Sequence, residues 1–241
     1  MKNITRILSL TLLATIGMNA AYAATPVKPV MLKNARQLTG FSGVAIGGSI
    51  HAYVTIGDKE NIRLEGDKEA IAALTTEVRN GILTIRPKTK WMEWGKKFRN
   101  SKITAYITAK RINSLSMEGS GTIEVKSVVN SGDLAIALRG SGDIKLSANV
   151  KSLAAAISGS GNIHIDGKAA AVTASIDGSG NINGRNLNTT ELTAQISGSG
   201  NMYVNASKII TASISGSGSV HYSGNPAITK SVSGSGSVRK D

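Results

Sequence analysis

The 241-residue chain contains no cysteine. That excludes a disulfide framework, lipid attachment through an N-terminal cysteine, and any Cys-His catalytic pair. Beyond the first two dozen residues no apolar run is long enough to cross a bilayer. Acids are sparse as well: 15 Asp and Glu stand against 28 Lys and Arg, a net charge of +13. Such an excess favours acidic partners, and where the charge sits matters more than its sum. Histidine occurs three times, at His51, His164 and His221. The last two take equivalent places three repeats apart, roughly 14 Å for stacked strands, too far to share a metal ion. All three read as solvent-facing strand residues.

Residues 1–23 read as a secretory signal peptide: Lys2 and Arg6 start it, Ile7 to Ile16 is a short apolar run, and Ala21-Tyr22-Ala23 is a small-x-small cleavage site. Removing those 23 residues leaves 218, enough for one sizeable core, with a charge of +11 once Lys2 and Arg6 are gone. The periplasm is the expected destination. Residues 24–40 follow as a loosely ordered lead-in.

What the chain has in abundance is Gly-Ser-Gly. The phrase begins at Gly119, Gly140, Gly159, Gly178, Gly198, Gly216 and Gly234, at intervals of 21, 19, 19, 20, 18 and 18 residues. A phosphate-cradling loop occurs once per site and a flexible linker has no reason to keep a period, so this is a structural repeat. Before each copy the apolar residues alternate, as in Leu153/Ala155/Ile157, Val172/Ala174/Ile176 and Leu192/Ala194/Ile196. After most copies a second short alternating stretch follows, as in Ile144/Leu146 and Ile163/Ile165. Period two means half-buried strands. A unit of roughly 19 residues cannot bury its apolar face alone, whereas stacked units can. The predicted fold is all-β: a right-handed parallel β-helix, or β-solenoid, of one coil per repeat over 116–241. A less regular β-rich portion, 41–115, precedes it and is continuous with it.

The glycines of the phrase (Gly119/Gly121, Gly140/Gly142, Gly159/Gly161, Gly178/Gly180, Gly198/Gly200, Gly216/Gly218, Gly234/Gly236) are predicted to supply positive φ at a tight corner. The residue after each phrase runs Thr122, Asp143, Asn162, Asn181, Asn201, Ser219, Ser237, a column whose neighbours can hydrogen-bond from coil to coil. In the N-terminal portion "FSGVAIGGSIHAYVTIG", "NIRLEG", "GILTIRP" and "KITAYITA" read as strands, and "DKEAIAALTTEV", residues 67–78, as one short helix.

The segments "FSGVAIGGSIHAYVTIGDKENIRLEGD", "LTTEVRNGILTIRP" and "KITAYITAKRINSLSMEGSGTI", with the recurring "SGSGNI", resemble the bacterial head GIN domain family, which carries an auto-transporter adhesin label. The Gly-Asn-Ile of that name stands at Gly161-Asn162-Ile163 and Gly180-Asn181-Ile182, and the resemblance covers about residues 41–238. It implies a secreted β-helical protein and supplies no catalytic residues. The repeats run on to "VRKD", without the long amphipathic strands of a membrane barrel, so the chain is not expected to translocate itself.

Other chemistries fit this frame less well. Calcium-binding β-rolls repeat every nine residues with an acid in nearly every copy, whereas only Asp143 stands in the comparable place here. No metal and no cofactor is expected. Polysaccharide-processing enzymes also use parallel β-helices, and that is the competing function. They need converging acids framed by long loops, and Asp143, Asp166 and Asp177 fall in different columns. The chain is therefore read as non-enzymatic. An outward column of Thr173, Thr193, Thr211 and Thr229 forms an uncharged contact face that suits a glycan, ice or a second copy, although Thr also simply suits exposed strands. Unpaired edges of the last coil predict weak homo-oligomerisation, guarded by Arg239 and Lys240.

The most specific segment is "RPKTKWMEWGKKFRNSK", residues 86–102. It holds seven cations (Arg86, Lys88, Lys90, Lys96, Lys97, Arg99, Lys102), one acid, both tryptophans (Trp91, Trp94) and Phe98. Between two strands it reads as a long loop whose charges draw in an anionic ligand while aromatic faces stack on sugar or sit at a headgroup layer. Anionic envelope glycan, lipopolysaccharide or a phospholipid surface are the expected partners, and specific nucleic-acid recognition is not. The alternative left open is that the tryptophans pack over the end of the solenoid and the lysines are merely solvated.

Overall fold

A computed structural model describes residues 30–31, 38–89, 91–98 and 100–241, with Val30, Met31, Trp91 and Met92 described by backbone alone. The leader 1–23, most of the lead-in, and Lys90 and Arg99 lie outside the described residues.

The repeats form five long strands, β9 (Thr122–Gly140), β10 (Asp143–Gly159), β11 (Asn162–Gly178), β12 (Asn181–Gly198) and β13 (Asn201–Gly216), each paired in parallel with the next. The two short strands expected per unit are thus two arms of one bent strand. β14 (Ser219–Ser223) and β15 (Ala227–Gly234) carry the two arms of the following coil, and β16 (Ser237–Lys240) adds one more arm on β14. The corner glycines stay in register from β9 to β15: Gly140, Gly159, Gly178, Gly198, Gly216 and Gly234 stack in one line. Unequal repeat lengths are absorbed at the opposite bend, where the register shifts between Lys145 and Ser147, His164 and Gly167, and Gly184 and Asn188. Bulges at that bend take up two, one and three residues in turn, the last offset by a further shift of one between Thr189 and Glu191, and leave both arms paired.

Within the pre-corner arm, Leu153, Val172, Leu192 and Ile210 stack, as do Ile157, Ile176, Ile196 and Ile214, all buried. Between them Ala155, Ala174, Ala194 and Ala212 form a buried column of small residues. That column runs through Leu83, Val44, Leu115 and Ile136 before the alanines and ends at Lys230. The interior is thus broad toward the N-terminal end, narrow in the middle, and bordered at the last coil by an exposed charge.

The corner differs from the simple expectation. Only the first glycine of each phrase has a positive φ, for example 129° at Gly178. The expectation is corrected for the second glycines, Gly121, Gly142, Gly161, Gly180, Gly200, Gly218 and Gly236, none of which has a positive φ. Close packing of the coils excludes a side chain there instead. A Cβ on Gly121 would run into the Ile50 carbonyl oxygen, and one on Gly142, Gly161, Gly180, Gly200, Gly218 or Gly236 into the carbonyl oxygen of the equivalent glycine one coil earlier. From the interior side, a Cβ at Gly180 would also lie 2.8 Å from Ile157 Cγ2, and one at Gly161 2.7 Å from Leu138 Cδ2. After the corner the predicted polar ladder is present. Asn162 Nδ2 donates to Asp143 Oδ1 at 3.1 Å, Asn181 Nδ2 to Asn162 Oδ1 at 3.1 Å, and Asn201 Nδ2 to Asn181 Oδ1 at 3.3 Å. Ser219 and Ser237 Oγ are 3.0 Å apart.

The N-terminal portion follows the same two-arm plan out of chain order. β2 (Gly43–Gly47) lies parallel on β8 (Ser114–Gly119), and β3 (His51–Ile56) lies parallel on the first arm of β9. Gly47-Gly48-Ser49 is thereby a further corner: Gly48 has φ 106°, its N–H donates to Glu118 O, and its carbonyl accepts from Ser120 N. β6 (Ile82–Pro87) and β7 (Ile103–Ala109) form the next level, parallel to β2 and β3. Above them β4 (Asn61–Gly66) and β5 (Leu74–Arg79) run antiparallel to β7 and β6. The two-residue β1 (Val30–Met31) pairs antiparallel with β4.

The expected helix over 67–78 is shorter. Asp67 caps the single turn α1 (Lys68–Ala72), its carboxylate accepting from Ala70 N at 3.0 Å, and "LTTEV" turns instead into β5. The reason is the Asn80-Gly81 hairpin, with φ 51° and 74°, which folds β5 back on β6 and gives its β-branched residues a partner.

Candidate functional site

The segment 86–102 occupies the corner between β6 and β7, the place that Gly48-Ser49 or Gly-Ser-Gly fills in other coils. It is an enlarged corner. Rather than a long loop it contains a helix, α2 (Trp91–Lys97). Glu93 in its first turn and Lys96 and Lys97 in its last suit the helix dipole.

The aromatic residues described there face inward. Trp94 is 5% exposed and Phe98 9%, their rings packed at 4.5 Å, and both join the main core. Apolar area of this size dominates local stability, so burial wins over display. The reading of these two as ligand-stacking faces is therefore corrected: both rings are part of the buried core. Lys88 is likewise engaged, its Nζ donating to Ala72 O at 2.8 Å at the end of α1, while Ser101 Oγ donates to Asp67 Oδ2 at 3.4 Å.

The remaining cations divide. Lys96 and Lys97 are exposed and line a shallow depression of about 380 Å³ with Asn100 and Ser101, and Lys97 Nζ lies 5.2 Å from the Phe98 ring centre. Lys102 is exposed just beyond them. Arg86, also exposed, lies apart from the lysines, in a separate groove reached from β6. Sequence reasoning missed what shares that groove: Arg139 from β9, Glu118 from β8, and the glycines of three corners. Only the parallel stacking brings them together.

The threonines are where the register demands. Thr173, Thr193, Thr211 and Thr229 are paired successively and exposed, with Ser175, Gln195, Ser213 and Ser231 alongside. Asp143 belongs to the Asn ladder, Asp166 pairs with Ser147, and Asp177 stands between Ser158 and Ser197, so the three acids do not converge. Among the described residues no group of three His, Asp or Glu is placed to hold a metal ion, and no helix is long and apolar enough to cross a membrane.

His164 and His221 do sit three register steps apart. His221, however, is not solvent-facing. It is 8% exposed, stacked at 4.6 Å on Tyr203, and its Nδ1 lies 2.8 Å from Asp241 Oδ1. The Arg185 guanidinium covers the Tyr203 ring at 3.7 Å and reaches Asp241 Oδ2 at 3.5 Å. The hydrogen bond from His221, and then the charges of His221 and Arg185, hold the Asp241 carboxyl below the usual carboxylate range.

Residues 40–226 match the family described as "Putative auto-transporter adhesin, head GIN domain". Among solved structures, a "putative adhesin" from Bacteroides fragilis is similar with a TM-score of 0.77 at 24% identity, covering 89% of this chain and 96% of that one. A "putative lipid binding protein" from Parabacteroides distasonis gives 0.69 at 25% identity over 89% and 96%. A further "putative adhesin", from Parabacteroides merdae, gives 0.66 at 17% over 89% and 95%. The β-solenoid is common to all of them. No curated protein matches the chain.

Proposed function

Because the chain belongs to the head GIN domain family, we propose that it is an exported, non-enzymatic binding module of the bacterial cell envelope that engages anionic glycan or lipid surfaces through the cations of the enlarged corner 86–102. The observation that carries this reading is the division of labour in that corner. Its buried aromatics anchor the segment, and Lys96, Lys97 and Lys102 are left exposed in a chain of net charge +13. Fixed cations on a rigid edge attract anionic polymers or headgroups without requiring a shaped pocket. The adhesin description of the family and the lipid-binding description of one structural neighbour are consistent with surface attachment. The signal-like leader and its charged start support export to the periplasm or beyond. The absence of converging acids in the described coils favours binding over polysaccharide cleavage.

The test is titration of the purified protein with phosphatidylglycerol and phosphatidylcholine vesicles, and with acidic and neutral polysaccharides, at low and raised salt. Binding to the anionic probes should weaken with salt and fall several-fold in Lys96→Ser/Lys97→Ser/Lys102→Ser. Equal binding to the neutral probes, or turnover of a polysaccharide into new reducing ends, would overturn the reading.

A further inference from the structure

Beneath the enlarged corner, a groove of about 530 Å³ runs along the edge of the stack. Its walls are Arg86, Pro87 and Thr89 on one side and Arg139 on the other, and its floor is made by Gly47, Gly48 and Gly119. The floor is bare backbone for a structural reason. Gly48 and Gly119 take positive φ at their corners, and a Cβ on Gly47 would lie 2.9 Å from Arg86 Cβ. The arginine stem therefore needs a glycine beside it. Both arginines and Glu118 are exposed, and among the described residues neither arginine takes part in an ion pair.

The charges come in a defined order. Ile46 pairs with Ile85 and Gly47 with Glu118, and Glu118 pairs with Arg139, so successive strands present Arg86, Gly47, Glu118 and Arg139. At the spacing of neighbouring strands the two arginines start about 14 Å apart, with a carboxylate between them. A guanidinium offers a planar fork that takes a carboxylate or sulfate through two parallel hydrogen bonds. Glu118 can accept hydrogen bonds from hydroxyls, and it repels a ligand whose anions are closely spaced.

We propose that this groove seats an acidic polysaccharide, its carboxylate or sulfate groups held by Arg86 and Arg139 and the hydroxyls of an intervening uncharged sugar donating to Glu118. A sugar chain has the width and flat faces to lie on a glycine floor. A bilayer surface is broad and carries anions at every headgroup, so it matches neither the concavity nor the interposed acid. The inference rests on the anion-binding reading above and narrows it: the exposed lysines attract from a distance, and the arginine groove selects the polymer.

The experiment is calorimetric titration of the full mature chain with hyaluronate and low-sulfated keratan sulfate, in each of which an uncharged sugar separates the acidic ones, and with neutral dextran, beside phosphatidylglycerol vesicles. Arg86→Gln and Arg139→Gln should each lower affinity for an acidic polysaccharide at least tenfold, and Arg139→Gln, outside the enlarged corner, should leave vesicle binding within twofold. Hyaluronate and keratan sulfate separate carboxylate from sulfate as the preferred group. Lys96→Ser/Lys97→Ser should lower affinity less than the arginine variants and mainly at low salt. Thermal unfolding of each variant checks that the coil is intact, and Arg139→Lys, which keeps the charge and loses the fork, should recover only part of the affinity. Polysaccharide binding unchanged in Arg139→Gln overturns the groove and leaves the envelope-binding reading standing. So does binding to vesicles with none to either acidic polysaccharide. No binding to any anionic probe overturns both.

Discussion

The two ends of the stack solve the same problem in opposite ways. A solenoid must stop somewhere, and its last coil exposes both an apolar cross-section and a row of unpaired backbone groups. At the N-terminal end the chain abandons the parallel repeat: β4 and β5 run antiparallel across the last parallel level, and the corner swells into α2, which places Trp94 and Phe98 in the core. At the other end nothing in the described residues covers the interior. Ile228 and Val232 are 37% and 38% exposed, and Lys230 stands in the column that is alanine in the four coils before it. One end is capped by bulk, the other guarded by charge. A charge planted in a core column blocks further stacking at little cost, because at the edge its amine still reaches water.

Removal of the cap should have the largest effect. Trp94→Ala empties a buried site and is expected to cost ~3–5 kcal/mol. Val232→Ala, in a column equivalent to Ile214 but at the open end, should cost less than ~1 kcal/mol, because much of that side chain already meets water. Denaturant unfolding of the two variants gives the comparison, and equal losses would mean that the ends are not different.

Next in size is the corner. Gly178→Val forces a β-branched residue into φ 129° between two occupied levels and should destabilise by ~1–3 kcal/mol through backbone strain. Gly234→Val meets the same geometry, φ 116°, in a coil whose pre-corner arm has no neighbour beyond it. That coil can peel away, so the loss should be smaller. Hydrogen exchange would show it directly, as faster exchange confined to β15 and β16.

The guard itself can be removed. We expect weak self-association of the natural chain, and Lys230→Val should raise it clearly, seen by light scattering across a concentration series, with little change in unfolding midpoint. A variant that remains as monomeric as the parent would show that Lys230 does not protect the edge.

The smallest effect concerns pH. Asp241 pins β16 through His221 and Arg185, and its carboxyl is held below the ordinary value of 3.8. A depressed carboxylate contributes stability that is present above its unfolded value and is lost as pH falls through the folded one. Protection of the β16 amides, taken relative to the intrinsic exchange rate at each pH, should therefore fall as pH drops below about 3.8, and Asp241→Asn should remove that dependence.

Much of the coil region can be read directly from residue order. The corner phrase, the alternating apolar triplets before it and the polar residue after it follow from a parallel in-register stack, in which each residue meets its own equivalent about 4.8 Å away. Local pattern and tertiary neighbour are then the same information. Hence the strands, the narrow alanine interior and the Asn ladder are all foreseeable. The second glycine of each phrase is a partial exception: its need for glycine is legible, but the cause is the carbonyl oxygen one coil away rather than its own φ. His221 escapes the pattern altogether, because its burial depends on Tyr203 below it and Asp241 twenty residues on, and neither is a repeat feature.

For the candidate site the balance reverses. Composition alone marks 86–102 as unusual, by seven cations and three aromatics in 17 residues, but composition cannot tell a displayed aromatic from a buried one. That was decided by the position of the segment at a corner of the end coil, where an uncovered core lay within reach of Trp94 and Phe98. Nor does the order of residues announce that Arg86, Gly47, Glu118 and Arg139 stand on consecutive strands, since β2 is inserted between β6 and β8 by pairing that skips along the chain. By itself the sequence determined the coil, because its repeat writes each contact next to its own copy. Only the tertiary structure decided how the stack is closed and which charges share a groove, because those depend on non-repeating segments whose partners lie far away in the chain.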